Sequence, residues 1–349
     1  MSITFNEIKA KAVFLTLAEA WKKQDWIFKK ESLPQKMLKL PEDPRGRANV
    51  LFLCALLQRG PAISESVTRW VKTLFEIRPE MQKPEVVSSL NELEITEAFN
   101  QATKTIRSQQ VKGSIDYRQK EFVRFWKHNS TVLTRNWDAD AREIFKGVRN
   151  FEEAYAKVNP ELQPPDSAIR GAKRKIISLA SIWLQDNGLI EQIPGPVPVD
   201  FHALRVLWAC DIVEFNDFER GLEPNGRLRL AKLRGLPSVR ISEARTDAIT
   251  KWSQKLLAEI GASNQELNPA LWLLSRTSCR RLALNRTTDN DGVLALNPRY
   301  GEINTCAVCP IQAHCKWAVP NGPYSRFGYL VRRLRTPHPQ PALPGTEGR

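Results

Sequence analysis

Asn304-Thr305-Cys306-Ala307-Val308-Cys309-Pro310-Ile311-Gln312-Ala313-His314-Cys315 sets three cysteines in a C-x2-C-x5-C run. Three thiolates at this spacing can grip one metal centre, and Cys279 upstream is the candidate for the fourth. Four cysteine ligands suit a [4Fe–4S] cluster or a structural zinc, and spacing alone leaves both open. Six cysteines in 349 residues do not make a disulfide scaffold. The N-terminal stretch lacks the charged and apolar layout of a secretory signal, so the expected compartment is a reducing cytoplasm. No apolar run approaches membrane-spanning length.

Outward from the cysteines, the chain is strongly basic. Its formal net charge is +14 and its pI about 9.6. A surplus of that size favours a polyanionic partner, with nucleic acid first. Arg326, Arg332, Arg333 and Arg335 carry the surplus into a Pro- and Gly-rich stretch, 336–349, that reads as disordered.

Upstream the pattern is helical almost throughout, with few alternating strands. Val67, Trp70, Val71, Leu74 and Phe75 share one helical face of 64–78, and Ile176, Ile177, Ala180, Trp183 and Leu184 share one face of 172–185. Helices are also expected at 46–58, 117–128 and 138–148, the last capped by Asp138 or Asp140. Asn187-Gly188 ends the 172–185 helix. Ile193-Pro-Gly-Pro-Val-Pro-Val199 cannot be helical, because its prolines remove donors and fix φ. It delivers the chain stiffly to Asp200.

Asp200 opens Val199-Asp-Phe-His-Ala-Leu-Arg-Val206, where a new helix begins. Alone, such an aspartate reads as an N-cap. Arg170-Gly-Ala-Lys-Arg-Lys-Ile-Ile-Ser178 is a glycine turn leading into a helix with a basic first turn. Backbone N–H groups and positive charge there suit a DNA phosphate, and a lysine there can act as an amine nucleophile toward a sugar carbon. Locally, both segments are also ordinary solvated helix starts. Cys54 and Cys210 sit in apolar surroundings and read as structural thiols.

The order of these pieces resembles a family. A glycine turn with lysine precedes a helix, then Val199-Asp-Phe-His-Ala-Leu-Arg-Val206, then Trp272-Leu-Leu-Ser-Arg-Thr-Ser-Cys279, then the cysteine run. This is similar to the helix-hairpin-helix DNA glycosylases of the endonuclease III superfamily, over roughly residues 165–320. The resemblance implies an all-α, two-lobe fold with a C-terminal iron–sulfur cluster loop. Its implied divisions are an N-terminal arm (1–44) packing on the cluster lobe, a helical lobe (45–183), a lobe with the aspartate and cluster (184–325), and a basic, disordered tail (326–349). Asp200 falls on the catalytic aspartate, and Cys279, Cys306, Cys309 and Cys315 fall on the [4Fe–4S] ligands. Setting Gly171 on the first hairpin glycine puts Lys175 on the catalytic lysine, with Lys173 the alternative. Gly171, Arg174 and Lys316 fall where DNA phosphates are expected.

The implied activity is removal of a damaged or modified base from double-stranded DNA by a monomer, with or without abasic-site lyase chemistry. Alternatives are a non-catalytic or hypermodified-base relative of the same superfamily, and an iron–sulfur nuclease of the RecB type, which would need an acidic strand motif not found before the cysteines. Two departures stand out. Only one hairpin glycine remains, and 26 residues separate Cys279 from Cys306, an excursion that includes Thr287 to Tyr300.

Overall fold

The computed structural model describes residues 3–58, 64–108, 119–215, 219–220, 237–241, 243–278, 308–315 and 330–333. The fold is mostly helical and is organised around two hydrophobic cores.

The first core lies between Leu38 and Ile193. Its helices are α2 (Pro44–Leu56), α3 (Ser64–Ile77), α4 (Pro84–Ser89), α5 (Glu92–Ser108), α6 (Gln119–Asn136), α7 (Phe151–Val158) and α8 (Arg174–Asp186). α2 packs on α8, α3 on α5, and α4 and α5 on α6. α2 has no polar face over its second half, because Val50 to Leu56 are all buried. A helix apolar on every side belongs in the middle of a core, and α2 occupies that place. Trp126 of α6 is fully buried in the same core, its ring 5.9 Å from both Phe75 and Phe99. The indole N–H donates to the Met81 carbonyl at 3.2 Å. Trp126→Ala leaves a large cavity and an unpartnered carbonyl, so chemical denaturation is expected to show a loss of about 3–5 kcal/mol.

The second core draws on both ends of the chain: α1 (Glu7–Lys23), α9 (Phe201–Ala209), α10 (Glu243–Ile260) and α11 (Asn264–Leu273). α1 lies against α10 and α11. Ahead of it, β1 (Ile3–Phe5) pairs antiparallel with β2 (Val213–Phe215), which ties the N-terminal segment to the end of α9. β3 (Glu219–Arg220) and β4 (Pro237–Ile241) pair antiparallel, and β4 pairs parallel with β5 (Leu330–Arg333). These short strands escape a reading of periodicity because two to five residues are too few to show alternation. β5 falls inside the segment read as a disordered tail. There Leu330-Val331 supplies strand-forming residues, and β4 supplies the partner.

Two other expectations are corrected. The helix at 138–148 is only a 3₁₀ turn, Ala141–Ile144. Asp138 and Ala139 adopt φ of 48° and 52°, which no right-handed helix accepts, and Asp140, one of the two expected caps, caps the short turn. The helix expected at 117–128 runs on to Asn136 as α6.

The chain passes from the first core to the second between Ile193 and Val197, through the Pro-rich segment. This passage is pinned from both sides. The Pro196 carbonyl accepts from the Ser178 hydroxyl of α8 at 2.7 Å and from the Asn264 amide of α11 at 3.2 Å. Ser253 of α10 accepts from the Val197 N–H at 3.3 Å. A Cβ on Gly195 would come within 2.8 Å of the Asn264 amide nitrogen, so the close approach needs glycine.

Candidate active site

Lys175 lies in the first turn of α8, and the turn before that helix is built from outside. The Asn129 side chain of α6 donates to the Arg170 carbonyl at 3.0 Å and accepts from the Arg170 N–H at 2.8 Å. His128 contacts the Ala168 carbonyl at 2.8 Å. Gly171 then turns the chain at φ +83°, a left-handed conformation that costs glycine little. Lys173 stands at the N-cap position, exposed, with no side-chain cap. Arg174 is turned onto its own chain. Its guanidinium pairs with Glu152 and lies 4.7 Å above the Tyr155 ring.

Asp200 is both a cap and an ion-pair partner. Its Oδ1 accepts from the His202 and Ala203 N–H groups at 2.8 and 3.0 Å, which starts α9. Its Oδ2 lies 3.6 Å from Lys175 Nζ. Burial pushes the carboxyl up, but Lys175, the neighbouring His202 and the two N–H donors outweigh it and hold the group below the usual carboxylate range. Asp200 is therefore ionised at neutral pH. The starts of α8 and α9 face each other across this contact, and the sequence signals only one of those starts by its cap.

His202 is buried, with its Nδ1 3.1 Å from Ser275 Oγ and its ring edge-on to Trp272. Burial lowers its pKa to about 4, with Asp200 opposing. A depressed histidine is neutral in the fold while its unfolded counterpart charges. Stability from this group is full above about pH 6.5 and is lost as pH falls toward 4, by about 3 kcal/mol in all. His202→Gln is expected to flatten the acid loss of stability, and the wild-type imidazole NMR signal should show no titration midpoint above pH 5.

A cleft of about 550 Å³, counting space open to solvent, contains this pair. Residues from both cores line it: Gln35, Gln58, Trp183 and Asp186 join Lys175, Asp200, Asn268 and Trp272. At its edge, Arg276 Nε meets Glu65 Oε1 of α3 at 3.0 Å, a tie between the cores. Arg276 and Ser275 belong to a single π-helical turn, Leu274–Ser278, that continues α11. Such wide turns recur at functional sites. Gln58, Glu65 and Asp186 carry nothing in the sequence that distinguishes them from surface polar residues. Ser275 and Arg276 lie within the quoted Trp272–Cys279 segment, where no role was assigned to them.

Of the four expected metal ligands, Cys309 and Cys315 lie within the described residues; Cys279, Cys306 and the DNA contact Lys316 lie outside them, as do the 280–305 excursion and the tail beyond Arg333. Cys309 and Cys315 flank one 3₁₀ turn, Gln312–His314, and both pack half-buried on the second core, where Ile311 anchors the loop. A loop fixed to a core with thiols at each end fits a cysteine-ligated centre. The π-helical turn ends at Ser278, one residue before Cys279. Among the described residues no group of three or more metal-binding side chains is assembled, and no helix is long and apolar enough to cross a membrane.

No protein-family model matches the chain, and no curated protein matches it. Among solved structures, the chain is similar to one described as a trapped endonuclease III–DNA covalent intermediate, an estranged-adenine complex. The likeness has a TM-score of 0.45 and 12% identity, and covers 90% of this chain and 97% of that one.

Proposed function

We propose that the protein is a DNA glycosylase that draws a damaged or modified base out of the duplex and breaks its bond to the sugar in the cleft between the two cores. The observation that carries this reading is the Lys175–Asp200 pair, an amine and an ionised carboxylate 3.6 Å apart in a cleft lined by tryptophans. A base inside a duplex cannot be reached by side chains at its sugar, so it must first be flipped. The +14 charge supports binding to the duplex that supplies it.

As the N-glycosidic bond breaks, the base leaves with the electron pair and positive charge grows on the sugar. Asp200 is placed to stabilise that charge electrostatically. Its depressed pKa makes it a weak base but a dependable anion, so charge stabilisation is its main role. In the lyase branch, Lys175 Nζ gives up a proton and bonds to the sugar C1′. The base takes up a proton as it departs, the sugar ring opens to an imine, and β-elimination breaks the strand. In the second branch, water attacks C1′ and an abasic site is the product. The ion pair itself favours this second branch, because an ammonium held by Asp200 is not a nucleophile until it loses its proton. Lys173, exposed at the cap position, is the other amine of the turn.

Cys279, Cys306, Cys309 and Cys315 would hold a [4Fe–4S] cluster, whose contribution is to fix the C-terminal loop. The DNA partner, the monomeric state and roles for Gly171, Arg174 and Lys316 at phosphates belong to the same reading. For Arg174 that role requires release from Glu152 and Tyr155. Cys309→Ser and Cys315→Ser are each expected to lower the iron content and visible absorption of purified protein; zinc in place of iron would reject the cluster.

Borohydride trapping on a duplex with one abasic site tests the lyase branch. A covalent adduct establishes it, and its absence with base release intact assigns the water branch. Absence of both from folded, metal-loaded protein, across a panel of modified bases, rejects the glycosylase.

A further inference from the structure

Gln58 is 5% exposed and lines the cleft, yet its Oε1 has no hydrogen-bond partner among the described residues. The orientation of its amide is set by its neighbours. The Thr68 hydroxyl donates its one proton to the Ser64 carbonyl at 2.9 Å. Toward Gln58, Thr68 Oγ1 can therefore only accept, and it does so from Nε2 at 3.5 Å. Cys54 Sγ takes the same amide nitrogen at 3.7 Å. The nitrogen is thus engaged and the oxygen is left over. Burying an acceptor without a partner is costly, and native folds keep one where something else supplies the donor.

We infer that Gln58 is a specificity-determining residue whose Oε1 accepts a hydrogen bond from the ring N–H of a lactam base held in the cleft. This rests on the glycosylase reading and deepens it by naming the class of base. Lactam bases, such as guanine, uracil, hypoxanthine and their oxidised forms, carry a ring N–H on the pairing edge. Adenine and cytosine carry a ring acceptor there, which would leave two acceptors facing each other. A site built around one such hydrogen bond rejects a ligand lacking the donor far more strongly than a hydrophobic pocket rejects a changed shape.

Calorimetric titration of the full chain with nucleosides tests this without requiring catalysis. The probes are 2′-deoxyguanosine, its 1-methyl derivative, which lacks the ring N–H, and 2′-deoxyadenosine. Wild type is expected to bind 2′-deoxyguanosine at least tenfold more tightly than either of the others. Gln58→Met should erase that preference. A thermal melt of Gln58→Met beside the wild type separates lost recognition from a folding defect. An equal affinity for all three nucleosides, no binding of any, or an undiminished preference in folded Gln58→Met overturns the assignment. Trapping on a preformed abasic site, with no base to fill the cleft, is independent of Gln58. If trapping and base release fail while the nucleoside preference stands, the glycosylase reading falls and the pocket assignment survives; the reverse result removes Gln58 alone.

Discussion

Asp200→Asn is expected to lower base release by about 100- to 1,000-fold while DNA affinity stays level or rises. The substitution isolates charge. Asparagine caps a helix about as well as aspartate, so the two N–H groups of His202 and Ala203 keep their acceptor and α9 keeps its start. What disappears is the anion that faces the developing positive charge on the sugar. Removing a negative group from a DNA-facing cleft also lessens repulsion toward phosphates, so binding should not suffer. Single-turnover excision beside a fluorescence-anisotropy titration on the same duplex separates the two quantities. Loss of binding in step with loss of release would show that Asp200 supports the fold or the interface rather than the reaction.

Lys175→Ala should abolish the borohydride adduct if the lyase branch operates, whereas Lys173→Ala should leave it within about threefold, as for an exposed lysine at a helix start. The asymmetry follows from geometry. Lys175 lies 3.6 Å from Asp200 with both side chains mostly covered, and Lys173 is exposed at the cap position. Attraction across that distance is roughly 4–5 kcal/mol at an effective dielectric of 20, before desolvation is subtracted. Losing the lysine therefore also affects the aspartate. The strongest influence holding the Asp200 carboxyl low disappears, and the acid limb of any remaining activity should move to higher pH. Lys175→Gln, which can still hydrogen-bond the carboxylate, should lose the adduct with less disturbance of that limb. An adduct retained in Lys175→Ala and lost in Lys173→Ala would reverse the assignment of the two lysines.

The helices were legible in the chain where a face repeats. Val67 to Phe75 and Ile176 to Leu184 both became buried faces, because helical periodicity is a local property that burial then exploits. The stretch after Leu133 was not legible in the same way. Two positive-φ residues break the helix there, and Asn49 supports the break by accepting from the Ala141 N–H and donating to the Ala139 carbonyl from about 90 residues away. The short strands were invisible for a related reason: each depends on a partner remote in sequence. Asp200 was recognised as a cap and also, through its motif, as a candidate for chemistry, and the geometry allows both because its two oxygens face different partners.

By itself the sequence determined a mostly helical chain, the stiff Pro-rich passage into Asp200, a basic balance suited to nucleic acid, and three cysteines in a C-x2-C-x5-C run. Each of these is fixed by covalent geometry, by composition or by spacing along the chain, and needs no knowledge of what packs where. Only the tertiary structure decided that Lys175 rather than Lys173 meets Asp200, that Arg174 turns back onto Glu152, and that Gln58 is left with a bare acceptor in the cleft. Those outcomes depend on the rotation of α8 against α9 and on which neighbours use up each donor. Both are set by the packing of two cores, the second of which brings together residues as far apart in the chain as Ala10 and Ile311.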